Sequence, residues 1–176
     1  MTFEIKIINL HWINETNEDP NDLCLHGNVF VKIGNKIIDD GVANLWTVSS
    51  GAYRMLETLY RNHNDSDECY EEHLLPCCGH FMFVDEKTDK LIICGCPNGI
   101  DWTVIHENNM VKLVEDESTQ IIMPFEEYKN AVFNFADKVK MFYDKCLPKH
   151  PNPEDAKAYQ RFWLDWEKFR NCNTTI

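Results

Sequence analysis

Residues 80–114 read HFMFVDEKTDKLIICGCPNGIDWTVIHENNMVKLV, and this stretch decides the fold. His80–Val84 and Lys90–Cys94 are two apolar runs separated by the polar turn Asp85–Asp89, which predicts a hairpin. Asp101–His106 and Met110–Val114, joined through Glu107-Asn-Asn, predict another. Upstream, Val29–Ile33 and Lys36–Ile38 flank Gly34-Asn35, whose glycine tolerates the positive φ of a tight turn. Three consecutive hairpins imply antiparallel pairing, because parallel neighbours need long crossovers. Phe3–Ile7 alternates apolar and polar as a half-buried strand should, and Gln120–Met123 adds a short strand before Pro124.

Helices account for the rest. From Thr47 to about His63, apolar residues recur at Val48, Ala52, Leu56 and Leu59, with Thr47, Ser49 and Ser50 as candidate N-caps. Phe125, Tyr128, Val132, Phe135, Val139, Phe142 and Cys146 are spaced three and four apart, the stripe of a helix with one buried face. Pro148 stops that helix, and Asn152-Pro-Glu-Asp155 starts another that buries Tyr159, Phe162, Trp163, Trp166 and Phe169. The expectation is therefore an α+β fold. A mostly antiparallel sheet of about six to eight strands is covered by one internal and two C-terminal helices, in a single domain spanning residues 1–176.

The chain carries 17 Lys/Arg against 29 Asp/Glu, a net charge of −12, and the acid is unevenly placed. Residues 1–76 hold 5 basic and 13 acidic groups, residues 77–123 hold 3 and 8, and residues 124–176 hold 9 and 8. Such a field repels nucleic-acid phosphates and anionic lipid surfaces and favours basic partners. The same acid also keeps a protein soluble without any partner. Candidate contacts with a basic protein are Asp65, Asp67, Glu68, Glu71 and Glu72 in one loop and Glu115, Asp116 and Glu117 in another. No secretory leader and no membrane-length apolar run is read, so the expected location is the cytoplasm, with no membrane contact and the eight cysteines as thiols.

Those cysteines hold the sharpest local pattern, Pro76-Cys-Cys-Gly-His80 answered by Cys94-Gly-Cys-Pro97. If Val84 pairs with Lys90, then His80 faces Cys94, Cys78 faces Cys96, and the four side chains share one face. Three thiols and an imidazole form a chemically suitable zinc set, which makes a zinc-binding metalloprotein or enzyme the alternative reading. Straight strands splay such ligands about 7 Å apart, however, and cysteine commonly fills the inner face of a strand. A nucleophilic Cys77 or Cys78, activated by His80 or His106 and oriented by Asp101, is the other chemical option. The acids upstream would oppose it by raising the thiol pKa. Gly-x-Ser-x-Gly, His-Glu-x-x-His, dinucleotide and calcium-loop signatures do not occur.

The helix beginning Pro124-Phe-Glu-Glu-Tyr128, the closing Phe162-Trp-Leu-Asp-Trp166 and the segment Gly99-Ile-Asp-Trp102 resemble the small acidic immunity proteins that bacteria make beside secreted toxins. The resemblance covers less than a third of the chain and carries over no functional residue. It implies a non-enzymatic protein that neutralises a basic toxin without a cofactor.

Overall fold

The computed structural model describes residues 2–14, 19–64, 73–79, 81–95 and 97–171, and these form an α+β fold with three helices. The first sheet contains β1 (Phe3–Ile7), β3 (Val29–Ile33) and β4 (Lys36–Asp40), in the order β1-β3-β4, all antiparallel. Between its first two strands in sequence lies the short β2 (His26–Gly27), which pairs with β5 (Trp46–Thr47). Gly34 sits at φ +60°, so the turn joining β3 to β4 uses the conformational freedom that glycine alone has cheaply.

The second three-stranded sheet is a meander of β10 (Thr103–Glu107), β11 (Met110–Val114) and β12 (Gln120–Pro124). Its first turn places Asn108 at φ +57°, a conformation asparagine accepts more readily than most side chains. Between the two sheets in sequence come β6 (Leu75–Pro76), β7 (Phe81–Val84), β8 (Leu91–Cys94) and β9 (Gly99–Ile100). β6 pairs with β9, and β7 with β8. The strands are thus divided among several small sheets instead of one sheet of six to eight. Local chemistry explains part of this division: Pro76 has no N–H to extend its ladder, and Pro97-Asn-Gly99 bends the chain before β9.

Helix α1 (Val48–Glu57) ends before the expected His63, where an isolated bridge to Val104 takes over. No side chain caps its N-terminus. The hydroxyls expected to do so reach neighbouring segments: the Leu25 N–H donates to Ser49, while Ser50 donates to Gly79 O and Thr47 to Cys77 O. Gly51 allows this close docking, since a Cβ there would lie 2.9 Å from the Leu74 carbonyl oxygen.

Helix α2 (Phe125–Lys145) buries Phe125, Tyr128, Val132, Phe135 and Val139, as the stripe predicts, with Phe142 and Cys146 half-buried at its far end. Helix α3 (Ala156–Asn171) buries Phe162 and Trp166 while Tyr143 and Trp163 pack edge to face at 4.9 Å. Trp102 and Tyr128 meet through Phe3, with ring centroids 5.7 and 5.6 Å from it, so the N-terminal strand is stitched to the meander and to α2. No helix of the described residues is long and apolar enough to cross a membrane.

Candidate functional site

The β7–β8 hairpin is closed by Asp85. Its carboxylate accepts from the backbone of Lys87 and Thr88 and from the Thr88 hydroxyl, its N–H donates to Lys90 O at 2.9 Å, and Asp89 completes the turn at φ +53°. Asp85 therefore faces Lys90, Val84 faces Leu91, and Phe81 faces Cys94. This is one residue away from the expected Val84–Lys90 pairing. Because side chains alternate between faces, a one-residue offset exchanges which ones meet. Phe81 holds the place opposite Cys94 that was expected for His80, and the shared face proposed for Cys78, His80, Cys94 and Cys96 loses its geometric basis. His80 and Cys96 lie outside the described residues. Among the described residues, no group of three or more His, Cys, Asp or Glu side chains is arranged to hold a metal ion.

Sulfur chemistry also departs from expectation. Cys77 is disulfide-bonded, whereas Cys24, Cys78, Cys94 and Cys146 carry thiols. The all-thiol reading therefore fails at Cys77. A sulfur already in a disulfide is not a thiolate nucleophile. Asp101, cast as the orienter of a catalytic histidine, accepts from His63 at 2.9 Å and from the Leu74 N–H at 2.9 Å. His106 instead donates through Nε2 to Thr58 O at 2.7 Å. These contacts join the end of α1, the chain before β6 and the meander, which is a structural task. Cys24 is buried, its Sγ donates to Gly79 O at 3.4 Å, and burial followed by the nearby Asp22 charge pushes its thiol up to about 12. Such a thiol stays protonated and unreactive at neutral pH.

The acidic candidates separate into two groups. Asp65, Asp67, Glu68, Glu71 and Glu72 lie outside the described residues. Glu115 and Asp116 both bind the Lys36 ammonium, the latter at 2.6 Å. Asp116 also accepts from Ser118 and Thr119 and shapes the β11–β12 turn. The Lys36 contact and then the Ser118 hydroxyl hold the Asp116 carboxyl well below the usual carboxylate range. Of these three, only Glu117 is exposed.

Two residues missed by reading the sequence are Phe81 and Phe83. They are 57% and 42% exposed, their ring centroids lie 6.0 Å apart, and they share the outer face of the hairpin with Ile92 and Cys94. Met82, Leu91 and Ile93 form the buried inner face. The signal was present in Phe81-Met-Phe-Val84: a strand buried on one side needs only alternate apolar residues, and this one is apolar throughout.

The two edges of this hairpin differ as well. Arg54, itself buried, donates to Ile93 O at 2.7 Å and to His73 O at 2.6 Å, which covers the outer edge of β8. A cleft of about 260 Å³ beside α1 and α3 gathers Arg61, Lys90, Arg161 and Lys168, with Glu57 and Asp165 as its acids. Both acids are paired, Glu57 with Arg61 at 3.0 Å and Asp165 with Arg161 at 2.8 Å. Comparison with protein-family models, curated proteins and solved structures gives no match for this chain.

Proposed function

We propose that this is a non-enzymatic binding protein, whose acid-rich first two thirds attract a basic protein and whose outer hairpin face supplies the apolar contact. The observation that carries this reading is the exposed pair Phe81 and Phe83, standing side by side on one strand of a chain with net charge −12. Aromatic side chains left in water forgo the stabilisation of burial, about 25 cal/mol per Å² of apolar surface, and they are the residues that most often anchor interfaces. The acidic field supplies a complementary property, faster encounter with cationic surfaces and rejection of anionic ones.

The resemblance to immunity proteins gives the partner a concrete form: a cationic toxin domain, neutralised by stoichiometric binding in the cytoplasm of the cell that makes both. Four of the five described cysteines, Cys24, Cys78, Cys94 and Cys146, carry thiols as that compartment favours, and the Cys77 disulfide is the exception to it. Titration calorimetry against the cationic proteins encoded beside this gene tests the reading. The expected result is a one-to-one complex weakened about tenfold by raising salt from about 50 to about 300 mM, as screening of complementary charge requires. Absence of binding to every such protein would overturn it, and so would binding indifferent to both salt and Phe81.

A further inference from the structure

The β10-β11-β12 meander has two edges, and one of them is covered. At β10, His63 exchanges both backbone bonds with Val104, at 2.9 and 2.8 Å, and the Asn62 side chain accepts from the His106 N–H. At β12 the phase of the ladder is set by two bonds, Glu115 N–H to Thr119 O at 3.0 Å and Phe125 N–H to Asn109 O at 2.9 Å. Both require Leu113 to bond Ile121 and Val111 to bond Met123, so the backbone groups of Gln120, Ile122 and Pro124 point away from β11. All three residues are exposed, Ile122 by 56%, and among the described residues Gln120 and Ile122 make no backbone hydrogen bond beyond the ladder. Helix α2 packs on the opposite, inner face, where Ile121 and Met123 are buried. On β7 the corresponding outward position is Met82, buried where α3 packs, so that edge is closed. Exposed edges are ordinarily protected by lysine, proline or a bulge. β12 has no lysine and no register shift, and its proline stands at the last position, where it removes one outward N–H and leaves the carbonyl.

We propose that the open edge of β12 receives an extended segment of the basic partner as an added antiparallel strand. Such a strand bonds both backbone groups of Gln120 and Ile122 and the carbonyl of Pro124, drawing affinity from the main chain and specificity from alternate side chains. What borders the edge sets the composition of the occupant. Its central residue is apolar, because it lies beside Ile122, whose neighbour on β11 is the cation Lys112. Its end residues are basic, because Glu117 precedes the strand and Glu127 follows it, both exposed and in no ion pair among the described residues. Those carboxylates steer the encounter, while the backbone bonds hold the complex. A second copy fits less well: antiparallel pairing of two β12 edges about Ile122 brings Glu117 of each copy toward Glu127 of the other, on chains that each carry −12. The inference rests on the functional reading above for the basic character of the partner, and uses neither Phe81 nor Phe83.

The probe is the capped peptide Lys-Lys-Val-Thr-Val-Thr-Val-Lys-Lys, compared with one version N-methylated at every valine and another at every threonine. Methylation removes the donors along one edge of an extended peptide and leaves the other edge intact. Titration calorimetry and amide hydrogen exchange are followed together on the whole protein. The unmethylated peptide is expected to slow exchange of the Gln120 and Ile122 amides by about tenfold or more. The valine-methylated version, whose lost donors are those that would face β12 with valine beside Ile122, is expected to bind at least about tenfold weaker than the threonine-methylated one. Ile122→Pro, which removes an outward N–H without breaking the ladder to β11, is expected to weaken binding about tenfold. Should that variant fail to fold, the exchange of the two wild-type amides decides. Phe81→Ser/Phe83→Ser is expected to bind the peptide as wild type does. Binding that leaves both amides exchanging as in the free protein, or that does not distinguish the methylated versions, overturns strand addition and leaves the charge-driven reading standing. Failure of the unmethylated peptide to bind overturns the inference alone, since the functional reading is decided by the cationic proteins encoded beside the gene. Concentration-dependent protection of the same amides without peptide makes a second copy the occupant and overturns the inference.

Discussion

The β7–β8 and β11–β12 hairpins have strands of four and five residues, yet they meet solvent in opposite ways. β11 is paired on both sides, and the outward face of its hairpin sets Lys112 opposite Ile122, a charge beside an exposed aliphatic side chain. Its turn consumes Glu115 and Asp116 in binding Lys36. β7–β8 stands as two strands, one edge covered by Arg54, with Phe81 and Phe83 outward. One hairpin has spent its charge on its own structure. The other exposes two aromatic rings, and it is for that difference that we propose the outer face of β7 as the apolar contact with a partner.

The largest expected effect comes from abolishing the difference between the two edges of β7–β8. Arg54→Met leaves the Ile93 and His73 carbonyls without their charged donor, and loss of charge-assisted bonds at a buried site costs about 3 kcal/mol. Denaturant unfolding should show a loss of that order. A smaller effect is expected on giving β7 the kind of charge its counterpart has. Phe83→Lys should cost about 1 kcal/mol or less, because the residue is 42% exposed, while reducing binding of the cationic partner at least tenfold.

A third substitution probes the turn that is already satisfied. Asp116 has its carboxyl pKa depressed by Lys36 and Ser118, so its contribution to stability is present at neutral pH and lost as the pH falls below about 3.9, its ordinary value. Asp116→Asn should lower Tm at neutral pH and flatten the acid limb of a Tm-against-pH profile. Glu117→Gln is expected to do least. Its exposed carboxylate takes no part in the turn bonds that Asp116 makes, so Tm should not change, and only the low-salt association rate should fall slightly.

The elements governed by local periodicity were legible in the sequence. The α2 stripe from Phe125 to Val139, the Gly34 turn and the alternation of Phe3–Ile7 each follow from side-chain spacing within one segment. What escaped depends on positions far apart in the chain. The β7–β8 register turned on how Asp85 accepts three hydrogen bonds from its own turn, and a single residue of offset separated the imagined Cys/His set. Pairing of His63 with Asp101 spans 38 residues, and the Arg54 cap on Ile93 spans 39, so neither leaves a local pattern to read. Phe81 and Phe83 were visible as letters, but their exposure required knowing which face of the hairpin the helices cover.

We propose the outer face of β7, with Phe81 and Phe83, as a contact surface and not an incidental exposure. Titration of wild-type protein and Phe81→Ser/Phe83→Ser with the cationic proteins encoded beside this gene tests it, with thermal unfolding run on both. Affinity is expected to be at least tenfold weaker in the double variant, the behaviour of an aromatic anchor, with Tm lowered by no more than about 5 °C. Equal affinity of wild-type and variant for that partner would contradict it.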